Sequence, residues 1–332
     1  MKSEWNDKIF NVDQEHLQGL ALEIFRFQYE HTPIYREYVD ALGVKPLSVA
    51  TITDIPFLPI RFFKSHAVQA GNFEPALIFE SSGTTGSINS RHLVKDAGLY
   101  QQSFTRGFER FYGPPSDWCI IGLLPSYLER QHSSLVYMVN ELVRMSGNPQ
   151  SGFYLNEYEK LARVLAELEE KGQPTLLIGV TFGLLDFAER EHLPVLRHTI
   201  VMETGGMKGR RRELIRQEVH EILSAAFHQP LIHSEYGMTE LLSQAYSKGN
   251  GFFSCPPWMK VLVRDEADPL TISDALPGKP LTGAVNIIDL ANVYSCSFIA
   301  TDDAARLHPD GSFEILGRLD NSDIRGCSLM VI

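Results

Sequence analysis

The hydrophobic pattern at the start of the chain is helical. Between residues 15 and 42, apolar side chains recur three or four positions apart, beginning at Leu17 and Leu20. Thr32 and Pro33 interrupt this pattern, and Gly43 follows its end. The spacing therefore predicts two short helices, because proline breaks a helix interior and glycine commonly follows a helix end.

From residue 76 onward, short apolar runs alternate with amphipathic stretches. The runs predict strands, and the stretches between them predict helices that cross from one strand to the next. We therefore expect a wound, largely parallel α/β sheet with right-handed crossovers. Its strands are predicted at residues 76–79, 118–124, 175–180, 199–202 and 231–234, and its helices at 97–108, 133–145, 157–171, 184–190 and 211–227.

The helix predicted at 157–171 has the clearest end signals. Asn156 is a candidate N-cap, Glu159 stands where the second half of a capping box would be, and Gly172 follows the last periodic position. We therefore expect this helix to begin at Glu157.

After about Asn250 the helical period disappears. Strands are predicted at residues 259–263, 284–288, 297–300 and 313–316, and His308–Gly311 has the composition of a hairpin turn. We expect one continuous domain over residues 1–332, made of a helical N-terminal region (1–75), an α/β body (76–249) and a β-rich subdomain (250–332).

Charge and composition limit the classes of function. The 332 residues carry 30 Lys and Arg against 41 Asp and Glu, a net charge of −11, which argues against general nucleic-acid binding. No apolar run approaches the roughly 20 residues of a membrane helix, and the first residues lack a signal-peptide core. We therefore expect a cytoplasmic protein without membrane insertion. Its four cysteines form no CxxC pair and are expected to be thiols.

A Ser/Gly/Thr-rich segment, Ser81–Gly86, follows the strand predicted at 76–79. Its two glycines permit a close approach of the backbone, its amides can form an anion-binding nest, and its hydroxyls add hydrogen-bond donors. It differs from the GxxxxGK[ST] loop because no lysine follows it directly. Taken alone, the segment is either a phosphate-binding loop or an ordinary polar turn.

Three later segments carry further polar groups. Ser234–Glu240 follows an apolar run, at the strand end where open α/β sheets bind ligands. Thr301–Asp303 places two carboxylates at a predicted strand end, where they could hold the hydroxyls of a ribose. Gly317–Gly326 is a charged segment after a predicted hairpin strand. Each one has an ordinary turn or loop as its alternative interpretation.

The order of these four segments resembles the adenylate-forming superfamily of acyl-CoA synthetases, phenylacetate-CoA ligases and luciferases. Members of that superfamily have an SSGTTG loop, a YGxTE motif about 150 residues later, a TxD motif and a GRxD hinge, in the order found here. The chain looks most like the acyl-protein synthetase component of bacterial long-chain fatty acid reductases. That closer resemblance rests on residues 124–130, 203–209 and 323–329 and extends from about Ile55 to the end.

The resemblance implies ATP and Mg²⁺ as cofactors and a role for each matching residue. Ser82, Gly83, Thr84, Thr85 and Gly86 would hold the β- and γ-phosphates; Gly205, Gly206 and Tyr236 would line the adenine; Thr239 would contact the α-phosphate and Glu240 the Mg²⁺; Asp303 would bind the ribose, Arg318 the ribose or phosphates, Asp320 would mark the hinge, and Cys327 would receive the acyl group.

Two departures from the wider superfamily affect the expected mechanism. The usual loop continues into Pro-Lys, whereas Arg91 is the first basic residue after Gly86 here, so Arg91 is the candidate for the role of that lysine. Other nearby candidates for a missing cation are Lys64, His66, His92, Arg130 and His132. The chain also stops about a dozen residues after Asp320, so we expect the mobile C-terminal domain of the superfamily to be absent.

The expected activity is that of an acyl-protein synthetase. It would activate a carboxylic acid, by family inference a long-chain fatty acid, as acyl-AMP, transfer the acyl group to Cys327, and pass it to a partner of the acyl-CoA-reductase type. Two alternatives remain. The first is a ligase that acylates coenzyme A or a carrier protein without self-acylation. The second is a non-catalytic protein that binds a nucleotide or an acyl-adenylate.

Overall fold

The computed structural model describes residues 4–81, 88–124, 132–205 and 214–319. These residues divide into two compact units. Unit 1 consists of the described residues within Met1–Tyr100, Thr239–Ser243 and Ser254–Ile332, and unit 2 of those within Gln101–Met238 and Gln244–Phe253. The division into three sequence regions and one continuous domain stays a prediction.

The helices and strands alternate through the middle of the chain, and strands dominate its last third. The helices are α1 (Glu4–Phe10), α2 (Leu17–His31), α3 (Pro33–Ala41), α4 (Phe62–Ser65), α5 (Ala97–Tyr112), α6 (Ser134–Ser146), α7 (Tyr158–Glu170), α8 (Thr181–Ala188) and α9 (Arg216–Phe227). The strands are β1 (Leu58–Pro59), β2 (Leu77–Glu80), β3 (Arg91–Val94), β4 (Cys119–Leu123), β5 (Gly152–Phe153), β6 (Thr175–Gly179), β7 (Thr199–Glu203), β8 (His233–Tyr236), β9 (Ala245–Ser247), β10 (Phe253–Ser254), β11 (Met259–Arg264), β12 (Ile272–Ser273), β13 (Leu281–Asp289), β14 (Phe298–Leu307) and β15 (Phe313–Arg318).

Unit 2 contains the parallel sheet that the sequence predicts. Its strands lie in the order β8-β7-β6-β4-β5, and the neighbours in this order pair in parallel. All five residues of β4 and all five of β6 are buried, as expected for strands covered on both faces. The antiparallel strand β9 pairs with β8, where Glu235 is opposite Tyr246. Strand β8, paired with β9, spans His233–Tyr236, two residues later than the apolar run predicts.

Helix α7 shows how the local pattern builds the core of unit 2. Tyr158, Leu161, Leu165 and Leu168 lie on its buried face, three or four positions apart. Burying each such leucine contributes about 1.5–3 kcal/mol. The helix ends before Gly172, whose φ of +63° is left-handed, as predicted.

The predicted cap of α7 is wrong. Glu157, and not Asn156, is the N-cap residue, and its side chain makes no capping hydrogen bond. The Glu157 carboxylate instead accepts a hydrogen bond from Lys160 at 3.2 Å. An i,i+3 ion pair has therefore replaced the expected capping box.

Unit 1 contains an antiparallel sheet with the order β12-β11-β13-β14-β15, together with β1, which pairs in parallel with β14. Strands β14 and β15 are joined at the predicted hairpin turn, where Gly311 has a φ of +84° and its N–H donates to the His308 carbonyl at 2.9 Å. The β-rich tail is thus confirmed in its main strands, β11, β13, β14 and β15. The helices predicted around Pro33 are confirmed as α2 and α3.

One predicted strand belongs to a different sheet from the one expected. Strand β2, predicted as part of the wound sheet, pairs antiparallel with β3 in a separate two-stranded sheet of unit 1. The Ser/Gly/Thr segment lies between these two strands. Within the described ranges, no helix is both long and apolar enough to span a bilayer.

Candidate active site

The hairpin β2–β3 brings together the two ends of the Ser/Gly/Thr segment. The Ser81 N–H donates to the Ser90 carbonyl at 3.0 Å, and the Ser90 N–H donates to Ser81 Oγ at 2.9 Å. The predicted phosphate ligands Ser82, Gly83, Thr84, Thr85 and Gly86 lie outside the described residues. The described part of the hairpin therefore defines the base of the candidate phosphate loop.

Glu240 lies at this base although it is 150 positions from Ser90 in the sequence. Its side chain is buried, and burial raises the pKa of its carboxyl group; a hydrogen bond with Ser90 acts in the opposite direction. The charges of Arg318 and Lys64 also act to lower the Glu240 pKa. Unit 1 thus brings the base of the Ser/Gly/Thr hairpin, Arg318 of the GRxD motif and Lys64 to the surroundings of the Glu240 carboxylate.

Two buried side chains hold the backbone on either side of Glu240. His92 lies in β3, and its Nδ1 is 2.8 Å from the Thr239 carbonyl oxygen, so this nitrogen carries the proton and donates. Asn292 Nδ2 donates to the Glu240 carbonyl at 2.7 Å. Both side chains have no solvent exposure.

A third buried side chain, Asp289 at the end of β13, fixes the next residues. Its Oδ2 accepts the N–H groups of Leu242 at 2.7 Å and Ser243 at 3.0 Å, and its Oδ1 accepts the Ser243 hydroxyl at 2.6 Å. Burial raises the pKa of Asp289 to about 6, and these hydrogen bonds act to lower it. The segment that contains Thr239 and Glu240 is therefore held by three side chains from two parts of unit 1: strand β3, and the end of β13 with the turn that follows it.

His92 is one candidate for the missing cation, and its surroundings do not support that role. Burial lowers its pKa to about 4, while the contacts with the Thr239 carbonyl and with Asn292 act to raise it. The ring is therefore neutral at physiological pH. Arg91 is exposed, and its Nε is 3.7 Å from a Glu80 carboxylate oxygen across the hairpin.

The candidate ribose residue Asp303 pairs with Arg318 across two strands. The two residues are opposite each other in the β14–β15 register, and Arg318 Nε is 3.6 Å from Asp303 Oδ1. The prediction that Thr301–Asp303 ends a strand is wrong, because β14 continues to Leu307. Successive strand residues point to opposite faces, so Asp302 and Asp303 do not form a paired grip on one ligand. Asp302 instead binds Arg61 at 3.2 Å.

In unit 2, Gly205 follows strand β7 with a φ of +73°, a left-handed conformation that favours glycine. Its N–H donates to Glu203 Oε2 at 2.7 Å, and its carbonyl accepts from the Thr181 N–H at 3.1 Å. Gly206 lies outside the described residues. The structure thus fixes the turn at the first of the two glycines predicted to contact adenine.

Glu203 is the centre of a buried polar network in unit 2. Its carboxylate is 3.1 Å from Arg216 Nε and 3.6 Å from His220 Nε2, and it accepts the Thr181 hydroxyl at 3.2 Å. Burial acts to raise the Glu203 pKa, but hydrogen bonds with His220, Ser234 and the Gly205 amide and the charge of Arg216 outweigh it and lower the pKa to about 2.

Tyr236, the candidate adenine contact, is a buried residue at the end of β8. Its ring is edge-on to Phe253, with centroids 5.9 Å apart. The preceding residue, Glu235, is also buried; burial and the charge of Glu203 raise the Glu235 pKa to about 8. The sequence analysis included Glu203 and Glu235 in its motif segments but gave neither a role. It missed Asp289 and Asn292, because isolated polar residues beside an apolar strand carry no local motif.

The donor set around Glu240 fits a Mg²⁺ ion that is carried mainly by nucleotide phosphates. Mg²⁺ in such sites uses one or two carboxylates and keeps its other positions for phosphate oxygens and water. In the described part of the chain, no group of three or more His, Cys, Asp or Glu side chains is arranged to hold a metal by itself. A single buried carboxylate beside a hydroxyl is consistent with this division of ligands.

The described cysteines have the properties of inert thiols. Burial raises the pKa of Cys119, and it raises the pKa values of Cys255 and Cys296 to about 12. A thiol with a raised pKa is a poor nucleophile at neutral pH. Cys327, the predicted acyl acceptor, and Asp320, the predicted hinge, lie outside the described residues.

Comparison with known proteins gives similarity at the level of structure. No protein-family model and no curated protein matches the chain. ATP-bound MatB from Rhodopseudomonas palustris is similar with a TM-score of 0.53 and 19% identity over 74% of this chain and 49% of that one. A long-chain-fatty-acid-CoA ligase (FadD1) from Archaeoglobus fulgidus gives a TM-score of 0.52 and 14% identity over 74% and 52%. The luciferase-like enzyme from the nonluminescent Zophobas morio mealworm gives 0.51 and 14% over 76% and 60%.

These similarities establish the fold. The predicted α/β class is confirmed, with a parallel sheet in the middle of the chain and a β-rich region after it. The chain spans about half of the length of the first of these structures.

Proposed function

We propose that this protein is an ATP- and Mg²⁺-dependent acid–thiol ligase of the acyl-protein synthetase type. The carboxylate oxygen of an acid attacks the α-phosphorus of ATP, the bond to the β-phosphate bridging oxygen breaks, and pyrophosphate leaves. A thiolate then attacks the acyl carbon of the acyl-adenylate, and AMP leaves. This chemistry needs positioning and charge neutralisation more than proton transfer.

The observation that carries the proposal is the proximity of Ser90 and Glu240. One residue is at the base of the Ser/Gly/Thr segment and the other ends the YGxTE motif, and within unit 1 the Ser90 side chain is close enough to act on the pKa of the Glu240 carboxyl group. A buried carboxylate beside a phosphate loop is suited to a phosphate-bound Mg²⁺. The similarity to an ATP-bound protein and to a long-chain-fatty-acid-CoA ligase supports the same chemistry.

The proposed residue roles follow the sequence motifs. In this proposal Ser82–Gly86 and Arg91 bind the phosphates, Gly205, Gly206 and Tyr236 contact the adenine, Thr239 contacts the α-phosphate, Glu240 binds Mg²⁺, Asp303 and Arg318 bind the ribose, and Asp320 is the hinge. Mg²⁺, when bound, would neutralise charge that develops on the phosphates.

We further propose that Cys327 accepts the acyl group and that a reductase-type protein receives it. Burial raises the pKa of each described cysteine, which leaves Cys327 as the candidate nucleophile. Gly326 and Ser328 flank Cys327, and Arg325, two residues earlier, would favour its thiolate form. A long-chain fatty acid is the proposed substrate class.

Pyrophosphate exchange and intact-protein mass spectrometry test this proposal together. The protein is incubated with ATP, Mg²⁺ and carboxylic acids of increasing chain length. We expect acid-dependent exchange and a hydroxylamine-labile mass increase of one acyl group. Cys327→Ser should abolish the mass increase and retain exchange, whereas the matched variant Cys255→Ser should retain both.

A second function, ligation of the acid to coenzyme A without self-acylation, is favoured by the similarity to the CoA ligase. It predicts exchange without an acyl-protein adduct and a CoA thioester when coenzyme A is added. If no acid supports exchange, both ligase functions are wrong, and ATP binding alone would indicate a non-catalytic nucleotide-binding protein.

A further inference from the structure

The two peptide groups that flank the Glu240 Cα atom are each held by a buried side chain. The Thr239 carbonyl belongs to the peptide before this atom and accepts from His92, and the Glu240 carbonyl belongs to the peptide after it and accepts from Asn292. Peptide groups are planar, so fixing both planes fixes the direction of the Cα–Cβ bond between them. The direction in which the Glu240 carboxylate starts is therefore set by two residues that are remote in sequence.

We propose that His92 and Asn292 are positioning residues that orient Glu240 toward the nucleotide-bound cation. This inference rests on the proposed function, because it assigns these residues to the same site. His92 and Asn292 act on the backbone, and neither is expected to contact the nucleotide or the cation.

His92 has a second connection to the site through its strand. It lies in β3, the strand that begins directly after Ser90, whose hydroxyl bonds the Glu240 carboxylate. The base of the candidate phosphate loop and the His92 ring therefore belong to the same hairpin. This hairpin acts on Glu240 twice, through the Ser90 side chain at the carboxyl group and through His92 at the backbone.

The remaining contacts of His92 keep its ring in one orientation. The ring packs edge-on against Phe63, with centroids 5.8 Å apart and planes at 86°. Asp289 independently holds the residues after Glu240 through Leu242 and Ser243. Loss of the His92 or Asn292 donor should therefore alter the two peptides at Glu240 and leave the following residues in place.

The test compares equilibrium binding of ATP to the full chain at increasing Mg²⁺ concentration, measured by titration calorimetry. In His92→Leu and in Asn292→Leu, a donor is lost while the volume is approximately kept. We expect each to raise the Mg²⁺ concentration for half-maximal ATP binding by about 10- to 100-fold, the effect typical of residues that support metal ligands. Binding of ATP without Mg²⁺ should change little.

Two further histidine variants make the test specific for the donor. An asparagine amide nitrogen can take the place of Nδ1, so His92→Asn should recover most of the Mg²⁺ dependence. A glutamine amide nitrogen is one bond further from the backbone, so His92→Gln should recover less. We therefore expect the Mg²⁺ affinity to fall in the order His92→Asn, His92→Gln, His92→Leu. If His92→Leu does not fold, the difference between His92→Asn and His92→Gln still tests the role of the donor.

Tyr35→Phe is the matched control for the loss of a buried donor. The Tyr35 hydroxyl is buried in unit 1 and donates to the Pro56 carbonyl at 2.7 Å. If Tyr35→Phe shifts the Mg²⁺ dependence as much as His92→Leu, or if the variants at 92 and 292 bind as the unaltered protein does, the positioning role is wrong. If the unaltered protein itself binds no ATP with Mg²⁺, the proposed function fails, and the inference that rests on it fails with it.

Discussion

Each of the two units buries a glutamate at a candidate site segment, and the two glutamates have opposite environments. Glu203 in unit 2 receives hydrogen bonds or charge from five groups, and its pKa is lowered to about 2. Glu240 in unit 1 has Ser90 as a hydrogen-bonding side chain, and burial raises its pKa. Unit 2 thus neutralises its carboxylate with its own residues, whereas among the described residues of unit 1 the hydrogen bonds and the charges of Arg318 and Lys64 do not outweigh the effect of burial on the Glu240 pKa.

This difference separates a structural carboxylate from one available to a ligand. A buried charge is costly unless it is paired and hydrogen-bonded. Glu203 meets that condition and fixes the turn at Gly205 through the amide of this glycine. Within the part of unit 1 that the structure describes, no basic side chain forms an ion pair with Glu240, so a bound cation would stabilise its ionised form. Burial alone would not distinguish the two residues, because both side chains are buried.

The largest expected effect tests the structural half of this comparison. Glu203→Gln leaves Arg216 without its buried anionic partner, and breaking a buried pair in this way costs about 3 kcal/mol. We therefore expect the free energy of unfolding, measured by urea denaturation near neutral pH, to fall by about this amount. The exposed-residue control Glu221→Gln should change it little, and equal stability of the two variants would contradict the structural role.

The next effect tests the ligand-binding half. Glu240→Gln keeps the shape of the side chain and removes its charge, so pyrophosphate exchange should fall by more than about 100-fold, beyond the loss typical of supporting residues. Its free energy of unfolding without nucleotide should stay the same or rise, because the desolvation cost of a buried carboxylate is lost. A large loss of stability in this variant would make Glu240 a structural residue like Glu203.

Glu235 sharpens the comparison within unit 2. Its folded-state pKa is raised to about 8 from its ordinary value of 4.5, so the folded state keeps a proton that the unfolded state has lost. This contribution to stability is complete below about pH 4.5 and is lost as the pH rises through about 8.

Glu235→Gln removes that dependence on pH. Between about pH 6 and pH 7.5 the unaltered protein should lose about 2 kcal/mol relative to the variant, at about 1.4 kcal/mol per pH unit. Urea denaturation of both proteins at the two pH values measures this change. A constant difference between them would show that Glu235 is ionised in the folded state, and Glu191→Gln, at an exposed position, is the control.

The smallest effect concerns Ser90, whose side chain acts to lower the Glu240 pKa. Ser90→Ala should raise the Mg²⁺ concentration for half-maximal exchange by about tenfold, the lower end of the range for supporting residues. Ser146→Ala removes another buried hydroxyl, which bonds Ser151 at 2.7 Å in unit 2, and should not change the Mg²⁺ dependence. Indistinguishable Mg²⁺ dependence in the two variants would exclude a role for Ser90.

Much of the fold could be predicted because its elements carry local periodic patterns. The buried runs of β4 and β6, the apolar face of α7 and the turn at His308–Gly311 each depend on residues within a few positions. The prediction failed where the partner strand, and not the apolar run itself, decided the outcome. Strand β8 is displaced toward its partner β9, and β2 pairs with β3 outside the wound sheet.

The candidate site likewise has features that the sequence predicts and features that only the tertiary structure determines. The residue types and order of the SSGTTG, YGxTE, TxD and GRxD motifs are properties of the sequence, and they point to ATP-dependent acid activation. Three other features depend on the tertiary structure: the proximity of Ser90 to Glu240, the neutral state of His92, and the contact of Asn292 with the Glu240 carbonyl. Hydrogen bonds and desolvation depend on which groups meet in space, and residues 50 to 150 positions apart leave no periodic trace of that meeting in the chain.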